Sequence, residues 1–133
     1  MKLRYIALIA AVASVGATST SAQTFRAENR VIVTPQANGL FSVSAGNYWG
    51  ARGAWCAAAD YAMDVLGASG TTRLYVRVPT TTPSGAVTFG LTPGDTTPIG
   101  VVSVSASLRT AGSNLSVDHA FQFCYDARLQ NIP

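Results

Sequence analysis

The stretch Ala54-Trp55-Cys56-Ala57-Ala58-Ala59-Asp60-Tyr61-Ala62-Met63-Asp64-Val65-Leu66 decides the architecture, together with Arg73-Leu74-Tyr75-Val76-Arg77-Val78 downstream of it. In the first, Trp55, Ala59, Ala62 and Leu66 recur at the spacing of one helical face, which predicts a helix over 54–66. Cys56, Ala59 and Met63 lie beside that stripe, so Cys56 is expected to face inward, while Asp60 and Asp64 fall on a flank. Gly67 supplies a C-terminal stop, and the alanines let the helix sit close to a sheet. In the second stretch the period is two. Leu74, Val76 and Val78 are expected to share one side and Arg73, Tyr75 and Arg77 the other, as in an antiparallel strand with one wet face. A helix and alternating strands in one chain define an α+β class.

Outward from this pair, residues 23–30 read as a polar lead-in. Val31-Ile32-Val33 is a first or edge strand ended by Pro35. Asn38-Gly39 is a turn pair, and Phe41, Val43 and Ala45 then alternate with Ser42 and Ser44, giving an N-terminal hairpin. Gly46–Gly53 is a glycine-punctuated lead into the helix. Beyond Val78, the Thr/Pro/Gly breaks at 79–85 and 92–98 bracket an alternating Val87, Phe89, Leu91 segment, and 99–108 is β-rich again. Ala111–Asn114 is a turn. The segment 116–128 has two readings. As a strand it puts Leu115, Val117, His119, Phe121 and Phe123 in one row. As a helix it has Ser116 as N-cap, Asp118 in the first turn, Arg128 in the last, and a Val117, Ala120, Phe121, Cys124 stripe. The cap chemistry favours the helix. The sum is a single small α+β domain over residues 23–133. Its antiparallel sheet, of about four to six strands, is packed by one or two helices.

Residues 1–22 read as a segment apart. Lys2 and Arg4 precede an uncharged, mostly apolar run from Tyr5 to Ala17, and Thr20 and Ala22 stand at −3 and −1 of a cleavage site before Gln23. This is the layout of a secretory signal peptide. The run is short of the roughly 20 apolar residues of a membrane span, so no span is expected after cleavage. Export to the periplasm or the medium is the expectation. The composition changes with cleavage: of 133 residues 111 remain, Lys2 goes, and seven arginines face six acids. That balance lacks the clustered cations of a nucleic-acid surface. In an oxidising compartment Cys56 and Cys124, the only cysteines, are expected to pair and close a 68-residue loop.

Few residues can carry chemistry. His119 is the only histidine. Ser116, Asp118 and His119 are close in sequence, but neighbours do not point at one another in a helix or a strand, and no G-x-S-x-G elbow presents a serine. Asp60 and Asp64 form an i,i+4 carboxylate pair, too few oxygens for calcium; capping, or pairing with Arg52 or a sheet arginine, is the expected role. Zinc is disfavoured by one histidine and two paired cysteines. No phosphate loop follows Gly46, Gly50 and Gly53, and without lysine no Schiff base forms in the mature chain. No cofactor or metal is expected. Tyr48 and Trp49 in the glycine-rich loop could stack on a ligand, or Trp49 could fold back as a lid on the core. Arg73, Tyr75 and Arg77 could form a partner or anion patch, or simply be the solvent side of a strand.

The W-C-A-A-x-D-Y run at 55–61, a following glycine and β-run, and a second cysteine near the C-terminus resemble small uncharacterised exported proteins of proteobacteria. The resemblance implies export and a disulfide, and adds no catalytic residue. The functional expectation is an exported, non-enzymatic binding module whose partner is a protein or an envelope component and not a nucleic acid. The alternatives are a small hydrolase using Asp60, Asp64 and His119, or a secreted inhibitor presenting loops 79–85 and 92–98.

Overall fold

The computed structural model describes residues 11–14, 16, 23–100 and 106–130. The signal-peptide reading falls almost entirely outside them, as does 101–105 of the β-rich 99–108 segment, whose flanking residues are not strand. Six strands form one antiparallel sheet: β1 (Phe25–Arg26), β2 (Ile32–Pro35), β3 (Phe41–Ser44), β4 (Arg73–Val78), β5 (Ala86–Gly90) and β6 (Asn114–Ser116). The spatial order is β1-β2-β3-β5-β4-β6. Among the described residues three helices, α1 (Gly50–Asp64), α2 (Val117–Gln122) and α3 (Tyr125–Gln130), complete the α+β fold.

The hairpin β2–β3 follows from its turn. Asn38 and Gly39 have φ of 61° and 74°, a left-handed pair that Asn-Gly adopts at low cost. Val33, Phe41 and Val43 then point into the core together with Val87 and Phe89. The polar lead-in contributes more than expected, because Phe25 and Arg26 pair with Val33 and Ile32 as an extra edge strand.

Helix α1 begins at Gly50, four residues before the predicted start. The cause lies in the glycine-rich segment. Asn47 Oδ1 accepts from the Trp49 backbone N–H at 2.9 Å, and Asn47 Nδ2 donates to the Ser44 and Gly50 carbonyls at 2.7 and 3.0 Å. Gly53 makes room, since a Cβ there would fall 2.3 Å from Asn47 Oδ1. From Gly53 to Ala62 the helix is buried all round, because the sheet lies under one side and α2 along another. Trp55 is fully enclosed, meets Phe89 edge-on at 5.1 Å, and donates its indole N–H to the Ala106 carbonyl at 3.0 Å.

Two expectations change. Val78 does not share a face with Leu74 and Val76. Val76 pairs with Phe89 and Val78 with Thr88, so Arg77 is an extra residue in the ladder. Such a bulge reverses the side-chain alternation, and Val78 is 55% exposed while Leu74 and Val76 are fully buried. The 116–128 segment is helical, but it starts as strand: β6 ends on Ser116, whose hydroxyl accepts the His119 backbone N–H at 3.1 Å and opens α2. Cys124 lies between α2 and α3 and is bonded to Cys56 of α1.

Two stability predictions follow from this packing. Replacing Cys56 and Cys124 by alanine frees a loop of 68 residues and is expected to cost about 4 kcal/mol in urea unfolding on chain entropy. Val76→Ala is expected to cost about 2 kcal/mol and Val78→Ala under about 0.5 kcal/mol; similar costs would remove the bulge at Arg77.

Candidate functional site

A cleft of about 520 Å³ opens between the turn at 27–32 and the loop at 44–49, with Ala127 of α3 as a third wall. Backbone bonds shape the turn: Ala27 N–H to the Val31 carbonyl at 2.9 Å and Arg30 N–H to the Ala27 carbonyl at 2.8 Å. Asn29 locks it to α1, donating to the Gly53 carbonyl at 2.9 Å and accepting from the Val31 N–H at 3.2 Å. The left-handed φ of 67° at Arg30 directs that exposed cation to the rim. Across the cleft, Trp49 donates its indole N–H to the Asn29 carbonyl at 3.0 Å. Trp49 is half-buried against the core, so it is both lid and wall. Tyr48 stands out at 82% exposure with its ring edge-on to Trp49, centroids 4.9 Å apart. Asn29 and Asn47 are committed to the backbone. The groups open to a ligand are the Arg30 guanidinium, the Ser44 and Tyr48 hydroxyls, the two rings and half-exposed Ile32.

The other candidate residues do not converge on this cleft. Asp60 is not on an exposed flank. It is only 7% exposed, because the 27–31 turn closes over it and the Glu28 backbone N–H donates to its Oδ2 at 2.8 Å. Burial pushes its pKa above the usual 3.8, and the charges of Asp64 and Glu28 add to the rise, against the opposing hydrogen bond from Glu28. Arg52, its expected partner, is held by Asp126 at 2.8 and 3.0 Å and lies 4.7 Å over the Phe123 ring. His119 lines a second depression of about 460 Å³ with Arg52, Asp126 and Arg128. Arg128 there is bound bidentately to Glu28 at 2.6 and 3.0 Å. Trp49 and His119 therefore line different hollows, and Asp60 lines neither.

Arg73, Tyr75 and Arg77 lie on the sheet face away from α1. Arg73 donates twice to Asn114 Oδ1, at 3.0 and 2.6 Å, and Arg77 to the Thr92 carbonyl at 3.3 Å. Loop 79–85 joins β4 to β5 at one end of β5, and loop 92–98 leaves near the other end. Among the described residues no group of three or more His, Cys, Asp or Glu could hold a metal ion, and no helix is long and apolar enough to cross a membrane. No family model, curated protein or solved structure matches this chain.

Sequence reasoning missed Arg30 and the asparagines. The available signal was Asn in a polar segment, Glu28-Asn29-Arg30 and the glycine-flanked Asn47, the composition of side-chain-locked turns. The Asp60 geometry makes a prediction. A carboxyl with a raised folded pKa favours folding at low pH and loses that contribution as pH climbs through and above the carboxylate range. Asp60→Asn keeps an oxygen acceptor for the Glu28 N–H and removes the buried charge. It is expected to raise the thermal midpoint at pH 7, and the gain is expected to shrink toward pH 4 in calorimetric scans.

Proposed function

We propose that the mature chain is an exported, non-enzymatic binding module of the periplasm or the extracellular medium, which takes an envelope component or protein partner in the Tyr48/Trp49 cleft. The observation that carries this reading is Tyr48, a large aromatic at 82% exposure on a loop that Asn47 locks to the helix start. An exposed ring on a rigid support loses little entropy on contact, which is why tyrosine and tryptophan anchor binding surfaces. The Arg30 cation and the Ser44 hydroxyl at the rim supply polar selection. Export is supported by the layout of residues 1–22 and by the Cys56–Cys124 bond, which persists in oxidising compartments. Of the charged groups lining the second depression, Arg52 is paired with Asp126 and Arg128 with Glu28.

The test is co-sedimentation of the exported chain with washed envelope fragments. Tyr48→Ala is expected to weaken binding by about thirtyfold, the size of an interface anchor, with an unchanged thermal midpoint. Equal binding by Tyr48→Ala and the parent would remove the cleft from the interaction.

A further inference from the structure

The charges of the fold are segregated between its two layers. The helix layer and the turn packed on it hold Glu28, Asp60, Asp64, Asp118 and Asp126 against Arg30, Arg52 and Arg128, an acidic excess. The opposite sheet face is set by the register. Arg26 pairs with Ile32, Thr34 with Ser42, Ser42 with Thr88, Tyr75 with Gly90, and Arg73 with Ser116, all out of phase with the core positions. The Arg77 stem joins them, lying where a Cβ on Gly90 would come within 3.2 Å. Among the described residues this face thus carries Arg26, Arg73 and Arg77, and no strand residue on it is acidic. The sixth acid, Asp95, sits in the 92–98 loop, which packs on the Arg77 guanidinium through Gly94 and Thr92. Among the described residues the salt bridges are Arg52–Asp126 and Arg128–Glu28, so the three face arginines have only neutral partners or none.

We infer that this sheet face docks the protein onto an acidic polysaccharide, one that carries carboxylates along its length. Three features select that occupant. All three cations are arginine, whose planar fork binds carboxylate bidentately. Their spacing excludes a small anion: Arg73 and Arg77 are about 13 Å apart along the strand, and β1 and β4 are about 19 Å apart across four strand steps. Between them the face offers the hydroxyls of Thr34 and Ser42 on adjacent strands and the half-buried Tyr75 ring, donors and a platform suited to sugars. A lipid surface is matched less well. Three basic residues add only about 3 kcal/mol there, and the exposed apolar groups, Ile32 and Val78, stand on β2 and β4, three strand steps apart. Ile32 and Ser44 belong both to this face and to the cleft wall, so docking here would hold the cleft close to the polymer. The residues that carry each site differ, Arg26, Arg73 and Arg77 here and Tyr48 and Trp49 in the cleft, so the two stand or fall separately.

The experiment measures binding of the exported chain to immobilised polygalacturonate at 50 mM salt, with neutral dextran, phosphatidylglycerol vesicles and duplex DNA as comparisons. Binding to polygalacturonate that fades by 0.5 M salt, with none to dextran, is expected. The triple variant Arg26→Gln/Arg73→Gln/Arg77→Gln is expected to lose at least about tenfold in affinity, while Arg109→Gln stays within about twofold. Because Arg73 and Arg77 also bond to Asn114 and Thr92, the single variant Arg26→Glu, at an exposed edge with no such bond, gives a second readout and is expected to weaken binding at least about threefold. Absence of binding to polygalacturonate, unchanged binding by a folded triple variant and by Arg26→Glu, or tighter binding to vesicles or DNA would each overturn the proposal.

Discussion

The structure depends on the close seating of α1 between the sheet and α2. Ala54, Ala57, Ala58, Ala59 and Ala62 have no exposed surface, and their small side chains bring the helix backbone near both neighbours. Large side chains enter only where the space calls for them. Trp55 fills the gap above Phe89, and Tyr61 meets Phe41 at 4.6 Å and Phe25 at 5.6 Å. The same closeness puts Cys56 within reach of Cys124, with Cα atoms 4.9 Å apart. It also puts Gly53 and Asp60 directly beneath the turn at 27–31, so one helix anchors the cleft wall through Asn29 and Glu28.

That arrangement explains which parts were readable from sequence. The hairpin at 32–44 was legible because Asn38-Gly39 and the alternation of Phe41 and Val43 agree. The helix was legible as a helix, but its alanines are buried on all sides, so a one-sided stripe described it incompletely. Its early start depends on Asn47 reaching around Gly53, a contact that periodicity does not express. Val78 shows the same limit. A period-two pattern cannot register a bulge, and one added residue at Arg77 turns the valine outward. Asp60 looked like a flank residue until the turn from the other end of the chain closed over it. The 116–128 ambiguity was real, since strand and helix meet at Ser116.

For the cleft, sequence pointed to Tyr48 and Trp49 but not to the wall opposite them. Arg30 reaches the rim only because its own φ is left-handed and because Trp49 ties the two walls together at Asn29. The arginine stripe on β4 was legible. Its meaning changes once Arg26 is placed on the same face by pairing with Ile32, and once five of the six acids are found on the helix side. A chain with seven arginines and six acids in its mature part is nearly neutral in total and strongly polar from layer to layer.

The sheet is also closed to strand addition. Its outer strands β1 and β6 are only two and three residues long, so each edge offers few open backbone donors and acceptors. Long exposed edges template pairing between copies, a hazard for a β-rich chain with few charges and no lysine after residue 2. Here the end strands are too short to seed a ladder. Such a protein can accumulate at high local concentration, crowded along a surface, without its sheets joining into fibres.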